Sequence, residues 1–377
     1  MCRASYHSAM SSTVLDGAGA AALPPKPGLR ALRIWLGMLA ALVVAMILVG
    51  GATRLTESGL SITEWKPVLG AIPPLSDADW REAFEAYKQI PQYREINAGM
   101  SLDQFKTIYW WEWTHRFLGR LIGVAFLLPF VAFWLAGAIP RALLPRLLLL
   151  FGLGALQGAV GWYMVMSGLV DRVSVSQYRL TVHFGVALVI LGYTLWLLFG
   201  LGVERQARDP ARPRGIAWLA GGVLALIFVQ MLAGALVAGM DAGFGYNTWP
   251  LINGAFIPSG LGEAQPWYLN LFENPLAVQF NHRMLGYAVV FAAVAQFAWL
   301  AFRGAAAPLL GSSVTVALLA VLQAVLGVWT LLLAVPIALG LAHQAGAVLL
   351  FAVALYHFWL ARAGTADPAT AQVAASA

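Results

Sequence analysis

Glu112-Trp113-Thr114-His115-Arg116-Phe117-Leu118-Gly119 and Gln279-Phe280-Asn281-His282-Arg283-Met284-Leu285-Gly286 carry one His-Arg-x-Leu-Gly pattern, 167 positions apart, each at the mouth of an apolar run. A later apolar run follows each copy and brings a second histidine, His183 in Leu180-Thr181-Val182-His183 and His343 in Gly340-Leu341-Ala342-His343. The chain therefore reads as a doubled unit organised around histidines. Four of its six histidines stand where ionisable side chains are costly, which marks them as functional candidates.

The runs themselves fix the class. With 60% hydrophobic and 11% charged residues and a mean hydropathy of +0.75, the composition is that of an all-α polytopic membrane protein. Eight transmembrane helices are expected at about 34–53, 116–138, 145–166, 179–200, 216–238, 283–303, 312–335 and 338–361. Between them, Lys26, Arg30, Arg33, Arg141, Arg146, Arg205, Arg208, Arg212, Arg214, Arg303 and Arg362 fall on one face, whereas no Lys or Arg occurs from Gly239 to Arg283's neighbour His282. By the positive-inside rule both termini are cytoplasmic, and the net charge of +6 reflects topology, not nucleic-acid binding.

The repeat extends past the histidines. Gly51-Ala52-Thr53-Arg54, Glu57-Ser58-Gly59, Trp65, Pro67 and Gly70-Ala71-Ile72-Pro73 correspond to Gly234-Ala235-Leu236-Val237, Asp241-Ala242-Gly243, Trp249, Pro250 and Gly254 to Pro258. Gln157 with Gly161-Trp162 likewise corresponds to Gln323 with Gly327-Val328-Trp329. Two four-helix bundles related by a pseudo-twofold axis are expected. The organisation is a disordered cytoplasmic tail (1–33), a first half (34–203) with a large outer loop (54–115), a second half (204–362) and a C-terminal tail (363–377). In the loop, Ser76 with Asp79 and Ser101 with Gln104 resemble capping boxes, and Trp80, Phe84 and Tyr87 recur at helical spacing up to Pro91. A small helical lid is expected there, its second helix running on through Trp110, Trp111 and Trp113 into span 2.

The lone cysteine, Cys2, excludes an intramolecular disulfide and a thiolate cluster, so redox chemistry would need a bound cofactor. The first 30 residues lack the apolar core of a signal peptide. A single buried histidine is more often structural than ligating, but four at repeat-equivalent positions favour ligands, as His115/His183 and His282/His343 pairs. Zinc takes tetrahedral sets with carboxylates or thiolates, and copper often adds methionine or thiolate. Paired imidazoles from two helices suit bis-histidine haem better. Arg54, Arg116, Arg120 and Arg283 are candidate partners for haem propionates, against a plain role as interfacial cations. His357 lacks a repeat partner, its counterpart being Leu197, and with His7 it is assigned no cofactor role. Glu57 reads either as a solvated loop acid or as a reactive carboxylate, and Asp241 is equally ambiguous.

Arg54-Leu55-Thr56-Glu57-Ser58-Gly59-Leu60-Ser61, continuing through Glu64-Trp65-Lys66-Pro67 to Gly70 and Pro73-Pro74, resembles the first-loop signature of the haem A synthase family. Glu112-Trp113-x-His115-Arg116, Asn281-His282-Arg283-x-x-Gly286-Tyr287 and Leu341-Ala342-His343-Gln344 match the same family, and the likeness covers about 50–360. It implies a bacterial inner-membrane oxidoreductase that converts a ring methyl of haem O into the formyl group of haem A by two hydroxylations and loss of water, for cytochrome oxidase. It further implies haem b on His282 and His343, the substrate or product haem on His115 and His183, and Glu57 as the essential acid. Members of one branch carry a cysteine pair in outer loops, which this chain lacks, so it resembles the proteobacterial and mitochondrial branch. Expected partners are haem O, the haem O synthase, cytochrome oxidase assembly factors and the lipid bilayer, with the electron donor unassigned and a homo-oligomer left open. The alternatives are a two-haem b-type cytochrome that passes electrons from quinol without altering either ring, and a duplicated transporter.

Overall fold

A computed structural model describes residues 27–65, 69–170, 172–201, 213 and 215–362. The expected tails before residue 27 and after 362, and Arg205, Arg208, Arg212 and Arg214, lie outside them.

Eight helices among the described residues are long and apolar enough to cross a membrane. They are α1 (Pro27–Leu55), α4 (Leu102–Leu135), α5 (Leu144–Leu169), α6 (Gln177–Gly200), α7 (Ile216–Gly239), α9 (Pro275–Phe302), α10 (Ala307–Leu332) and α11 (Ile337–Arg362). The shorter α2 (Asp77–Tyr87), α3 (Pro91–Glu95) and α8 (Ala242–Gly245) lie between them, and no β-strand occurs among the described residues. Every expected span is present, but α1 starts ahead of residue 34, inside the stretch expected as tail.

Local chemistry sets the helix starts. Ser76 and Ser101 close capping boxes with Asp79 and Gln104, meeting two otherwise orphaned amides each. Asn274 caps α9 ahead of Pro275, a residue whose missing N–H costs nothing at a first helical position. α4 thus begins just after its cap Ser101, in the loop, and runs unbroken through the tryptophans past His115.

At the centre α1, α6, α7 and α11 bury one continuous apolar core, with Leu36, Val43, Leu188, Leu191, Ile227 and Phe351 in contact through it. The outer helices pack in corresponding ways: α4 on α1 and α5 on α6, α9 on α7 and α10 on α11. Leu128, Trp134, Leu149, Phe291 and Leu322 remain exposed on the outer helices, as side chains in contact with lipid would be. One asymmetry stands out in the packing: α9 lies along α10, whereas α4 and α5 touch only briefly.

A second, aromatic core forms the lid. Trp80, Phe84 and Tyr87 of α2 pack on Phe105 and Tyr109 of α4, with the Phe84 and Phe105 ring centres 4.9 Å apart.

Candidate functional site

The four repeat-related histidines come together as two pairs. The ring centres of His115 (α4) and His183 (α6) are 6.4 Å apart with planes at 59°, and those of His282 (α9) and His343 (α11) are 6.5 Å apart at 83°. Each ring is seated against a glycine of a neighbouring helix. A Cβ built on Gly50 would stand 3.2 Å from His115 Nε2, and on Gly161, Gly234 and Gly327 it would stand 2.9, 3.0 and 2.7 Å from Cε1 of His183, His282 and His343. Contacts under 3.0 Å require something to move, so at Gly161 and Gly327 the hydrogen side chain is what admits the imidazole, and at Gly50 and Gly234 a methyl would press on the ring.

The remaining letters of the His-Arg-x-Leu-Gly pattern are explained by the same packing. Gly119 and Gly286 let Met46 of α1 and Gln230 of α7 approach to 3.2 and 3.3 Å of the Cβ position. Arg116 and Arg283, each next in sequence to the first histidine of a pair, fasten the loop that follows the preceding repeat helix. Arg116 donates from Nε and Nη2 to Glu112 Oε1 at 3.0 and 2.6 Å, and from Nη1 and Nη2 to the carbonyls of Glu64 and Ile62. Arg283 donates to the carbonyls of Thr248 and Tyr246 and to Gln279 Oε1, each at 2.8 Å. Glu112 is 2% exposed and also accepts from Ser61 Oγ and the Ile62 amide at 2.8 and 2.7 Å. Gln279, its counterpart, is neutral and donates to the Ala242 carbonyl at 2.8 Å. Glu112 and Gln279 were not singled out from the sequence, although each opens its repeat, three positions before the histidine.

Gln157 and Gln323, paired by the repeat, hold the second histidine of each pair. Their amides donate to the main-chain carbonyls of His183 and His343 at 3.1 and 2.7 Å and lie 3.4 and 3.0 Å from a ring nitrogen. The repeat register needs one correction: the glycine that matches Gly234 is Gly50, because both seat a histidine, whereas Gly51 faces Gln344.

Glu57 and Asp241 follow α1 and α7 in the same left-handed conformation, at φ 52° and 54°. Asp241 accepts from Arg54 Nη2 at 2.7 Å, whereas the exposed Glu57 carboxylate makes no hydrogen bond or ion pair among the described residues. The Glu57 turn is held from behind. Buried Gln92 donates to the Glu57 carbonyl at 3.0 Å and accepts from Tyr87, which in turn accepts from Asn97 at 2.7 Å. Gln92 carries no pattern of its own in the sequence. Arg120 lies one helical turn beyond Arg116, and buried His357 bonds Ser312 Oγ through Nδ1 at 2.8 Å, far along α11 from His343.

The pairs fit haem. A metal-bound imidazole nitrogen lies about 2 Å from the metal and roughly 1.1 Å from its own ring centre, so two axial imidazoles place their centres about 6.2 Å apart. Both observed spacings agree. The Nδ1 atoms of His183 and His282 are buried without a hydrogen-bond partner among the described residues. Among the described residues no three of His, Cys, Asp and Glu converge, so the third and fourth ligands of a zinc site are lacking, whereas two axial nitrogens suffice for a porphyrin iron.

The family model described as "Cytochrome oxidase assembly protein" (COX15-CtaA) matches residues 33–355. The chain is 54% identical to the Heme A synthase of Parvibaculum lavamentivorans over 327 residues, 87% of this chain and 93% of that one. It is 57% identical over 333 residues to that of Rhodopseudomonas palustris (strain BisA53), covering 88% and 90%, and 55% identical over 333 residues to that of Bradyrhizobium diazoefficiens, covering 88% and 91%. With both histidine pairs, their glycine seats and the two loop clamps inside the matched span, the chain belongs to the COX15-CtaA family of cytochrome oxidase assembly proteins.

Proposed function

We propose that the chain is a haem A synthase, oxidising the ring methyl of haem O to the formyl group of haem A for cytochrome oxidase. The observation that carries this reading is the pair of imidazole spacings, each matched to one porphyrin iron. The substrate haem is assigned to His115/His183 and a resident haem b to His282/His343. A haem b held there would supply one-electron redox chemistry.

The packing asymmetry supports that division. A groove lined by Trp65, Arg116, Trp162 and Met166 lies between α4 and α5, next to Arg116, where those two helices barely meet. An amphiphilic substrate has to enter and leave from the bilayer, and a resident cofactor does not. The Glu112–Arg116 clamp ties residues 61–64 to the turn of α4 that carries His115, and in this reading that segment is the roof that keeps water from the reacting methyl.

Glu57 is the acid of the reaction in this reading. Gly50 touches His115, α1 rises about 7.5 Å from there to its end at Leu55, and Glu57 follows in the turn beyond, on the loop side of the ring. Its unpartnered carboxylate is available as base, nucleophile or electrostatic partner to charge developing at the methyl. Arg54 and Arg283 each keep a buried Nε without a partner, which suits them to a propionate. Arg116 has every guanidinium nitrogen engaged on the roof, and Arg120 is the remaining candidate. The basic loops orient both termini to the cytoplasm of a bacterial inner membrane, with haem O synthase as supplier and oxidase assembly factors as recipients.

The test is to express the chain with haem O and identify the extracted haems by mass. Wild type should yield haem A, and Glu57→Ala should accumulate haem O or a hydroxylated product. Two unmodified b haems from wild type would indicate the electron-transfer cytochrome instead. Undiminished haem A from Glu57→Ala would remove Glu57 from the chemistry.

A further inference from the structure

We infer that Gln344 is a positioning residue that joins the two histidine pairs through α1. It follows His343 in α11, and its Nε2 donates to the Ile47 carbonyl of α1 at 3.0 Å. Its amide lies directly on Gly51, where any Cβ would overlap it. The adjacent Gly50 seats the His115 ring. Successive helical residues point about 100° apart, so Gly50 and Gly51 present two faces of one turn, one to His115 and the other to Gln344, the neighbour of His343. The stretch from Ile47 to Gly51 is thus held by His115 on one face and by Gln344 on the other.

The bond is more than the repair of an orphaned group. Within α1 the Ile47 carbonyl already accepts from the amide of Gly51, as helix geometry dictates, and Gln344 uses its second lone pair. A polar amide in an apolar seam is costly unless bonded, so this contact selects one register of α11 against α1. The corresponding position after His183 is Phe184, which makes the bridge a property of the second repeat alone. On its other side His343 is held by Gln323 of α10, which bonds His343 itself and supplies a control. A change in ligation at His282/His343 that moves the start of α11 therefore carries Gln344, and with it the stretch of α1 against His115.

This inference rests on the haem reading of both pairs, and the experiment separates the two. The low-spin signals of the full haem-loaded chain are assigned with His115→Ala and His282→Ala, and their g values and midpoint potentials are then measured in three variants. Gln344→Met removes the donor while keeping the bulk, Gly51→Ala attacks the same contact from α1, and Gln323→Met is the control. The expected result is a shifted His115/His183 signal in Gln344→Met and Gly51→Ala, and a shift confined to the His282/His343 signal in Gln323→Met. Should Gly51→Ala fail to assemble, Gln344→Met decides. Two haems with an unmoved first signal in Gln344→Met would overturn the inference alone, whereas a wild-type chain with no haem at either pair would remove the parent reading and the inference with it.

Discussion

Glu57 and Asp241 hold the same left-handed backbone at matching points beyond α1 and α7, yet only Asp241 has a cation, Arg54, on its carboxylate. A residue with a Cβ in that conformation costs about 1 kcal/mol relative to glycine, a strain that persists where surrounding structure enforces it. At Glu57 the enforcing contact is the Gln92 amide on its carbonyl. Glu57→Gly is therefore expected to leave fold and haem content intact, or slightly more stable, while abolishing haem A. Thermal unfolding and extracted-haem mass read the two effects separately. Loss of haem together with product would instead make Glu57 a structural residue.

The glycine seats give a graded series. Gly161→Ala and Gly327→Ala bring a methyl to within 2.9 and 2.7 Å of an imidazole carbon, and should each cost the haem of their own pair. Gly152→Ala, with nothing within 4 Å, is the neutral comparison. Haem content per chain, measured by optical absorbance, should fall toward half in the first two and stay at the wild-type value in the third.

Glu112 and Arg116 form an ion pair with side chains 3% and 12% exposed. Removing one partner of such a pair leaves the other charge uncompensated, at a typical cost of about 3–5 kcal/mol. Glu112→Ala is expected to loosen the 61–64 roof and cut activity severely. Glu112→Gln also removes the negative charge but keeps an acceptor oxygen for the guanidinium, as Gln279 does for Arg283, and should be milder. Limited proteolysis of the first loop, run beside the haem A assay, orders the two variants; equal behaviour would contradict the clamp.

Much of this was legible in the sequence because two physical signals are strong there. Apolar length reports the spans, and the doubled His-Arg-x-Leu-Gly pattern reports that His115 and His282 are equivalent positions in the two halves. The Ser76/Asp79 and Ser101/Gln104 boxes were equally readable, since capping is a local rule. Gln157 and Gln323 were visible as a repeat but without a role, because donation to a histidine carbonyl on another helix has no periodicity. Choosing Gly50 over Gly51 needed the angular setting of α1, which two adjacent glycines leave undetermined. The Arg54–Asp241 and Gln92–Glu57 contacts join residues 187 and 35 positions apart through loops, where no spacing rule applies.

The lid carries a pH dependence. The Asp79 carboxyl is held below its ordinary value of 3.8 by the amides of Ser76 and Leu75, with a further contribution from the Ser76 hydroxyl. A depressed folded-state value means that the capping contribution is complete above the unfolded value and is lost as pH falls through the folded one. Proteolysis at α2 should accelerate below about pH 4. Asp79→Ala should be cut faster at neutral pH and lose that acid dependence; a wild-type rate flat down to pH 3 would contradict the capping role.

The central claim, one iron porphyrin between each imidazole pair, is tested most directly by counting haems and recording low-spin resonances in wild type, His115→Ala and His282→Ala. The expected result is two low-spin, six-coordinate haems in the wild type supplied with haem O, with each variant losing a different one. Variants that both retain two unaltered low-spin haems, or a wild-type chain that binds none, would contradict it.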